Sequence, residues 1–193
     1  MARHDRRGLP LSTASDQAAD RYREGVDLLM SAWPGAAEVL SLALNGQSRR
    51  ALEHALAHAD QWPRDALILG LPLGAFGLFA FSGMADHDQA RVDLCERHAR
   101  QFDADDWWFL VYAGWSHVEN GAVAHGRALI ERGFALRPAN ANGAHALSHA
   151  MYEAGDGAGA EALIAGWLPG YDRTGSLHGH IAWHAALAAL ERG

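Results

Sequence analysis

Residues 107–140 read WWFLVYAGWSHVENGAVAHGRALIERGFALRPAN, and residues 141–174 read ANGAHALSHAMYEAGDGAGAEALIAGWLPGYDRT. Each stretch carries a run of helix formers that a glycine interrupts, and the two glycines, Gly121 and Gly155, lie 34 residues apart. Glycine just past the last turn of a helix is a stop signal, because it accepts a left-handed backbone without steric cost. If each of these glycines is the turn between two helices, the first unit gains a consistent register. Gly114, Gly126 and Gly133 then fall where paired helices approach closely and need small side chains. Pro138 falls where the second helix must end. The second unit keeps Ser148 and Ala160 at the first two of those places but puts Trp167 at the third.

A helix–turn–helix unit of 34 residues is the tetratricopeptide period. The spacing therefore predicts an all-α fold, a tetratricopeptide-like helical-repeat solenoid of antiparallel helix pairs, clearest over 107–140 and 141–174. Composition agrees: the chain has 39 Ala but 6 Val and 4 Ile, a balance that favours helix over strand. Working outward, residues 1–11 read as a disordered, Arg-rich lead, and residues 12–193 as a single α-helical repeat domain. Residues 12–15 can cap a helix from Asp16 that Pro34-Gly35 ends. Further helices fit 36–44 and 48–59, and Trp62-Pro63 breaks the second of these. Residues 64–81 form one strongly apolar, buried segment. Residues 86–102 read as amphipathic, with Val92, Cys95, Ala99 and Phe102 on one face and Arg91, Asp93, Arg97 and Arg100 toward solvent. Asp105-Asp106 caps the helix that Trp107 opens. The last helix, 177–192, has Ile181, Leu187 and Leu190 in need of a partner. Either it packs back on the array, or a second chain covers it, or the chain is a fragment of something longer; a homodimer through the last helix is one expectation.

Several function classes fall away on composition. The 193-residue, 20.8 kDa chain has no Lys, so lysine-dependent phosphate loops and Schiff-base chemistry are excluded. A net charge of -7 with only Arg as base gives no footprint for nucleic acid and no polybasic membrane patch. The single cysteine, Cys95, excludes a cysteine-cluster metal site. Residues 1–10 lack the apolar core of a secretory signal, and no apolar run has transmembrane length, so a cytoplasmic location is expected. Gly74-Ala75-Phe76-Gly77 has neither the preceding strand nor the lysine of a phosphate loop.

The histidines carry the chemistry. His145, His149 and Glu153 follow one another at four-residue steps, as do His180 and His184 on the last helix, with Trp183 between them. Four residues advance a helix by about 400°, so each set shares one face. Two imidazoles one turn apart are the simplest way for a helix to offer two nitrogens to one metal ion. Glu119 and His117, from the preceding first helix, are placed to join them. The zincin pattern is absent, since Ala146 follows His145. The bland alternative is that these groups hydrogen-bond to carboxylates, indoles or backbone and hold the helices in register. His54, His58, His87, His98 and His125 read as solvated.

The stretches Asp105-Asp106-Trp107-Trp108-Phe109, Glu119-Asn120-Gly121, Arg137-Pro138-Ala139-Asn140-Ala141, His145-Ala146-Leu147-Ser148-His149 and Tyr152-Glu153-Ala154-Gly155-Asp156 carry a resemblance. So do Trp167-Leu168 and His178-Gly179-His180-Ile181-Ala182-Trp183-His184-Ala185-Ala186-Leu187. Together they resemble the tetratricopeptide repeat protein 38 family over roughly residues 65–193, and more weakly over 8–45. By that resemblance the chain is a shortened member. The resemblance implies an α-helical solenoid and no settled biochemical activity.

Two functional readings follow. The first is a protein- or peptide-binding module whose concave groove presents Trp108, His117, Glu119, His145, His149, Glu153, His180, Trp183 and His184. The second is a small-molecule enzyme or binder in the same groove, with His149 or His184 as general base and Glu153 or Glu119 orienting it. The cofactor stands between none and a divalent metal on His145, His149, His180 and His184. Burial separates the readings. An open groove suits a peptide, whereas the two histidine pairs facing each other across a few ångströms suit chemistry.

Overall fold

The computed structural model describes residues 3–8, 10–11, 15–30, 48–75 and 77–192, and these are mostly helical. Helix α1 spans Asp16–Met30, and the Ser15 hydroxyl accepts a hydrogen bond from the Ala18 amide at 3.3 Å near its start. The expected Pro34-Gly35 stop and the 36–44 helix lie outside the described residues. Helix α2 spans Ser48–Gln61 and ends before Trp62-Pro63.

The apolar segment 64–81 is two helices, α3 (Ala66–Leu73) and α4 (Leu78–Phe81). The Gly77 amide donates to the Gly74 carbonyl at 2.8 Å, folding the chain back so tightly that a Cβ at Gly77 would sit 2.6 Å from that oxygen. Helix α5 spans His87–His98 and tightens into a 3-10 turn over Ala99–Gln101. Its buried face is shifted from the expected one: Arg91 is 3% exposed, Leu94 and His98 are buried, and Ala99 faces solvent. Arg91 turns inward because its guanidinium lies 5.9 Å from the centre of the Trp115 ring, a cation–π contact no local pattern announces.

Residues 3–8 and 10–11 are not the disordered lead that their Arg content suggests. Strands β1 (Arg3–His4) and β2 (Pro10–Leu11) pair antiparallel. Arg7, between them, is buried, with its guanidinium 3.2 Å from Asp106 and 5.6 Å from the centre of the Trp108 ring. Its partner is 99 residues away in the chain, which is why composition alone reads this arginine as solvated.

Helices α6 (Trp107–Glu119), α7 (Val123–Leu136), α8 (Ala141–Glu153), α9 (Gly157–Trp167) and α10 (His178–Arg192) each pack on the next, except that α10 follows a 3-10 turn over Leu168–Gly170. Asp106 caps α6 by accepting from the Phe109 amide at 3.0 Å, and Asn140 caps α8 by accepting from the Asn142 amide at 3.1 Å. Gly121 and Gly155 close α6 and α8 with φ of +88° and +79°. The α6–α7 contact is the most intimate: a Cβ at Gly114 would lie 2.6 Å from the Gly126 carbonyl and 2.6 Å from Ile130 Cγ1. The last helix packs back on α9 and, at one end, on α8, burying Ile181 and Ala188 while Leu190 stays 77% exposed.

Three apolar clusters run along the molecule. Leu52, Leu69, Leu73, Leu94, Phe102 and Trp108 form the first. Val111, Trp115, Val118, Ile130 and Leu147 form the second, and Ile164, Tyr171, Leu177 and Ile181 the third. The last two flank the meeting of α8 and α10. No described helix is long and apolar enough to cross a membrane.

Candidate metal centre

The i, i+4 spacing puts His145 and His149 on one face of α8, and His180 and His184 on one face of α10. The two faces meet. His145 Nε2 lies 3.0 Å from His180 Nε2 and 3.2 Å from His184 Nε2. His184 Nε2 lies 3.0 Å from His149 Nε2 and 3.0 Å from His180 Nε2. All four nitrogens fall within 4.8 Å of one another.

Hydrogen bonding alone does not account for this arrangement. An imidazole nitrogen has one in-plane lobe, which holds either a proton or a lone pair, so it can join one hydrogen bond. Four such nitrogens allow at most two bonds among themselves. Here they make four contacts of hydrogen-bond length, and His184 Nε2 takes part in three of them. A cation among four lone pairs removes the conflict. Metal–nitrogen bonds of about 2.0–2.1 Å in a tetrahedron set ligand atoms ~3.3 Å apart, close to the four separations of 3.0–3.2 Å among the six, and all six stay within 4.8 Å.

The protonation states agree with ligation. Burial holds the His145 imidazole well below its ordinary range, and the neighbouring imidazoles His149, His184 and His180 add to the effect. Burial, then His149 and His180, lowers His184 to about 4. His180 is lowered by burial and by His149. At neutral pH these three rings are neutral, which is the form that binds metal.

Helix α6 supplies the surroundings. Trp115 and Glu119 stand one turn apart on it, facing α8. The Trp115 ring lies 5.2 Å from the His145 ring and 4.9 Å, edge-on, from the His149 ring. Glu119 Oε1 lies 3.5 Å from His149 Nδ1, the nitrogen turned away from the cluster. A carboxylate behind a ligating imidazole fixes its tautomer and raises its basicity. Trp115 is absent from the sequence-based site. The signal was its i, i+4 relation to Glu119, legible only once α6 is known to face α8.

The other candidates are dispersed. Trp108 is 1% exposed, packed at a tilt against Phe102 and Tyr112 in the first cluster, and is no groove contact. His117 turns to the opposite side of α6, edge-on to His125 at 4.6 Å. Glu153 is exposed and lines a cavity next to the cluster instead of joining it, so of the two carboxylates only Glu119 stands beside a cluster imidazole. Trp183, 53% exposed, lies against His180 and His184 at 5.8 and 5.0 Å between ring centres. Cys95 is buried against the Ser116 hydroxyl, and burial pushes its thiol up to about 12, leaving it inert.

The cavity of about 210 Å³ lies between α8, α9 and α10, and His149 and His184 form part of its wall. Comparison with protein-family models, curated proteins and solved structures gives no match to this chain.

Proposed function

We propose that this protein binds one divalent first-row transition ion through the Nε2 atoms of His145, His149, His180 and His184, with Glu119 positioning His149. The observation that carries the reading is the set of four mutually facing nitrogens whose contacts exceed what hydrogen bonds can satisfy. Four neutral imidazoles suit zinc, copper, nickel or iron and offer nothing to calcium or magnesium, which need oxygen. The ion would tie α10 to α8, which otherwise touch over a short stretch.

This reading favours the small-molecule binder or enzyme over the peptide groove, because the imidazoles are turned on one another and on a bounded cavity. The glycine-closed pairs α6–α7 and α8–α9, with their close approach at Gly114 and Gly126, support a tetratricopeptide-like solenoid as the scaffold. Membership of the tetratricopeptide repeat protein 38 family rests on the motifs quoted above.

The test is the metal content of the protein purified without a polyhistidine tag. About one ion per chain is expected, and dialysis against a chelator should remove it and lower the melting temperature. A His149→Ala/His184→Ala chain should lose the ion while keeping its helical circular dichroism. A protein that holds no zinc, copper, nickel or iron, as isolated or after reconstitution, overturns the reading.

A further inference from the structure

We infer that the cavity beside the cluster is a binding site for a small monocarboxylate with an apolar body, its carboxylate directed at the ion across the His149–His184 edge. This rests on the metal reading above. The cavity is about 210 Å³. An engineered apolar cavity of about 150 Å³ holds benzene, so a single ring or branched chain with a short acidic arm fits here. Ala160, Ile164, Leu187 and Ala188 form its apolar walls, and Tyr152 and Trp183 stand at it as two exposed aromatic rings. Large exposed aromatics are what a ligand body of that kind would cover.

The polar end is set by charge. All four proposed ligands are neutral, so the ion keeps its full charge within its first shell, and an anionic oxygen is the donor that best offsets it. Zinc can expand from four ligands to five, and the entering ligand must pass between ligands that border an open space. Of the four imidazoles, His149 and His184 alone line the cavity, which selects the edge. Among the described residues, the charged groups facing this region are Glu119, behind His149, and Glu153, on the cavity wall. Glu153 carries the charge a second carboxylate on the ligand would meet, which disfavours dianions. Among the described residues no Arg lines the cavity to reward one.

The probe is phenylacetate, titrated by calorimetry into the full-length chain loaded with zinc, with metal content measured on the same sample. Saturable one-to-one binding is expected, at least tenfold tighter than acetate, which lacks the body. It should also be at least tenfold tighter than phenylacetate binding to the chelator-stripped protein. In the cobalt-substituted protein, phenylacetate should weaken the visible d–d bands as a fifth ligand enters. Leu187→Trp, or Ala188→Leu if that chain folds poorly, should abolish binding with the ion retained. Glu153→Gln should tighten it about two- to fivefold, the effect of one solvated rim charge. A zinc-loaded protein that does not bind phenylacetate, or binds it no better than acetate, overturns the inference and leaves the metal reading standing. Equal binding with and without the ion overturns the metal-directed carboxylate. A chain that holds no ion overturns the metal reading itself, and this inference with it.

Discussion

At the scale of single residues, Glu119 has a position that spacing alone did not assign. Glu119 and Glu153 are equivalent in the repeat register, and either could have oriented an imidazole. Only Glu119 stands 3.5 Å from His149 Nδ1, because α6 faces α8 from behind the cluster while Glu153 continues past it toward solvent. Glu119→Gln should therefore weaken metal affinity by about 10- to 100-fold, the range seen when the group behind a ligating histidine is lost. Competition with a chromogenic chelator measures this. Glu153→Gln should leave metal affinity within about twofold of the parent, since an exposed charge outside the coordination shell contributes little. Equal losses in the two variants would show that position in the fold does not distinguish them.

At the scale of elements, the α6–α7 pair depends on glycine. Gly114 and Gly126 face each other, and a Cβ on Gly126 would collide with the Gly114 carbonyl and come 2.6 Å from Val118 Cγ2. Backbone cannot move aside as a flexible side chain can. Gly126→Ala should thus destabilise the chain by about 1–3 kcal/mol, despite alanine's better helix propensity. Gly166→Ala, where a Cβ meets nothing within 4 Å, should be neutral or slightly stabilising. Urea denaturation of both variants separates close packing from propensity. Should Gly126→Ala be as stable as the parent, the helices would have to be further apart than described.

At the scale of the whole molecule, three helices converge to bury imidazoles, and this couples stability to pH. His145, His180 and His184 are all lowered from their ordinary value by burial, His184 to about 4. In the unfolded chain they protonate near pH 6.5, so between that pH and their folded values the unfolded state holds more protons. Stability of the chelator-stripped protein should therefore be full above about pH 6.5 and fall progressively as pH drops toward 4. Melting temperatures across that range check the sign. A His180→Gln/His184→Gln chain should show a flatter profile.

The sequence by itself determined the helical class, the turns at Gly121 and Gly155, the cap at Asp106, and the two histidine faces. These are local matters: helix propensity, φ > 0 at glycine, and a 3.6-residue period all act within a few residues. It misread Arg7, Arg91 and His98, whose burial depends on partners far along the chain, and left Trp108 between core and groove. Spacing could put His145 with His149, and His180 with His184, but each pair alone is a common pattern of little meaning. Only the tertiary structure decided that α10 folds back so that the pairs face each other at 3.0–3.2 Å. The physical reason is that this contact is made by the packing of Ile181, Leu177 and Tyr171 against Ile164, not by any preference of the histidines themselves.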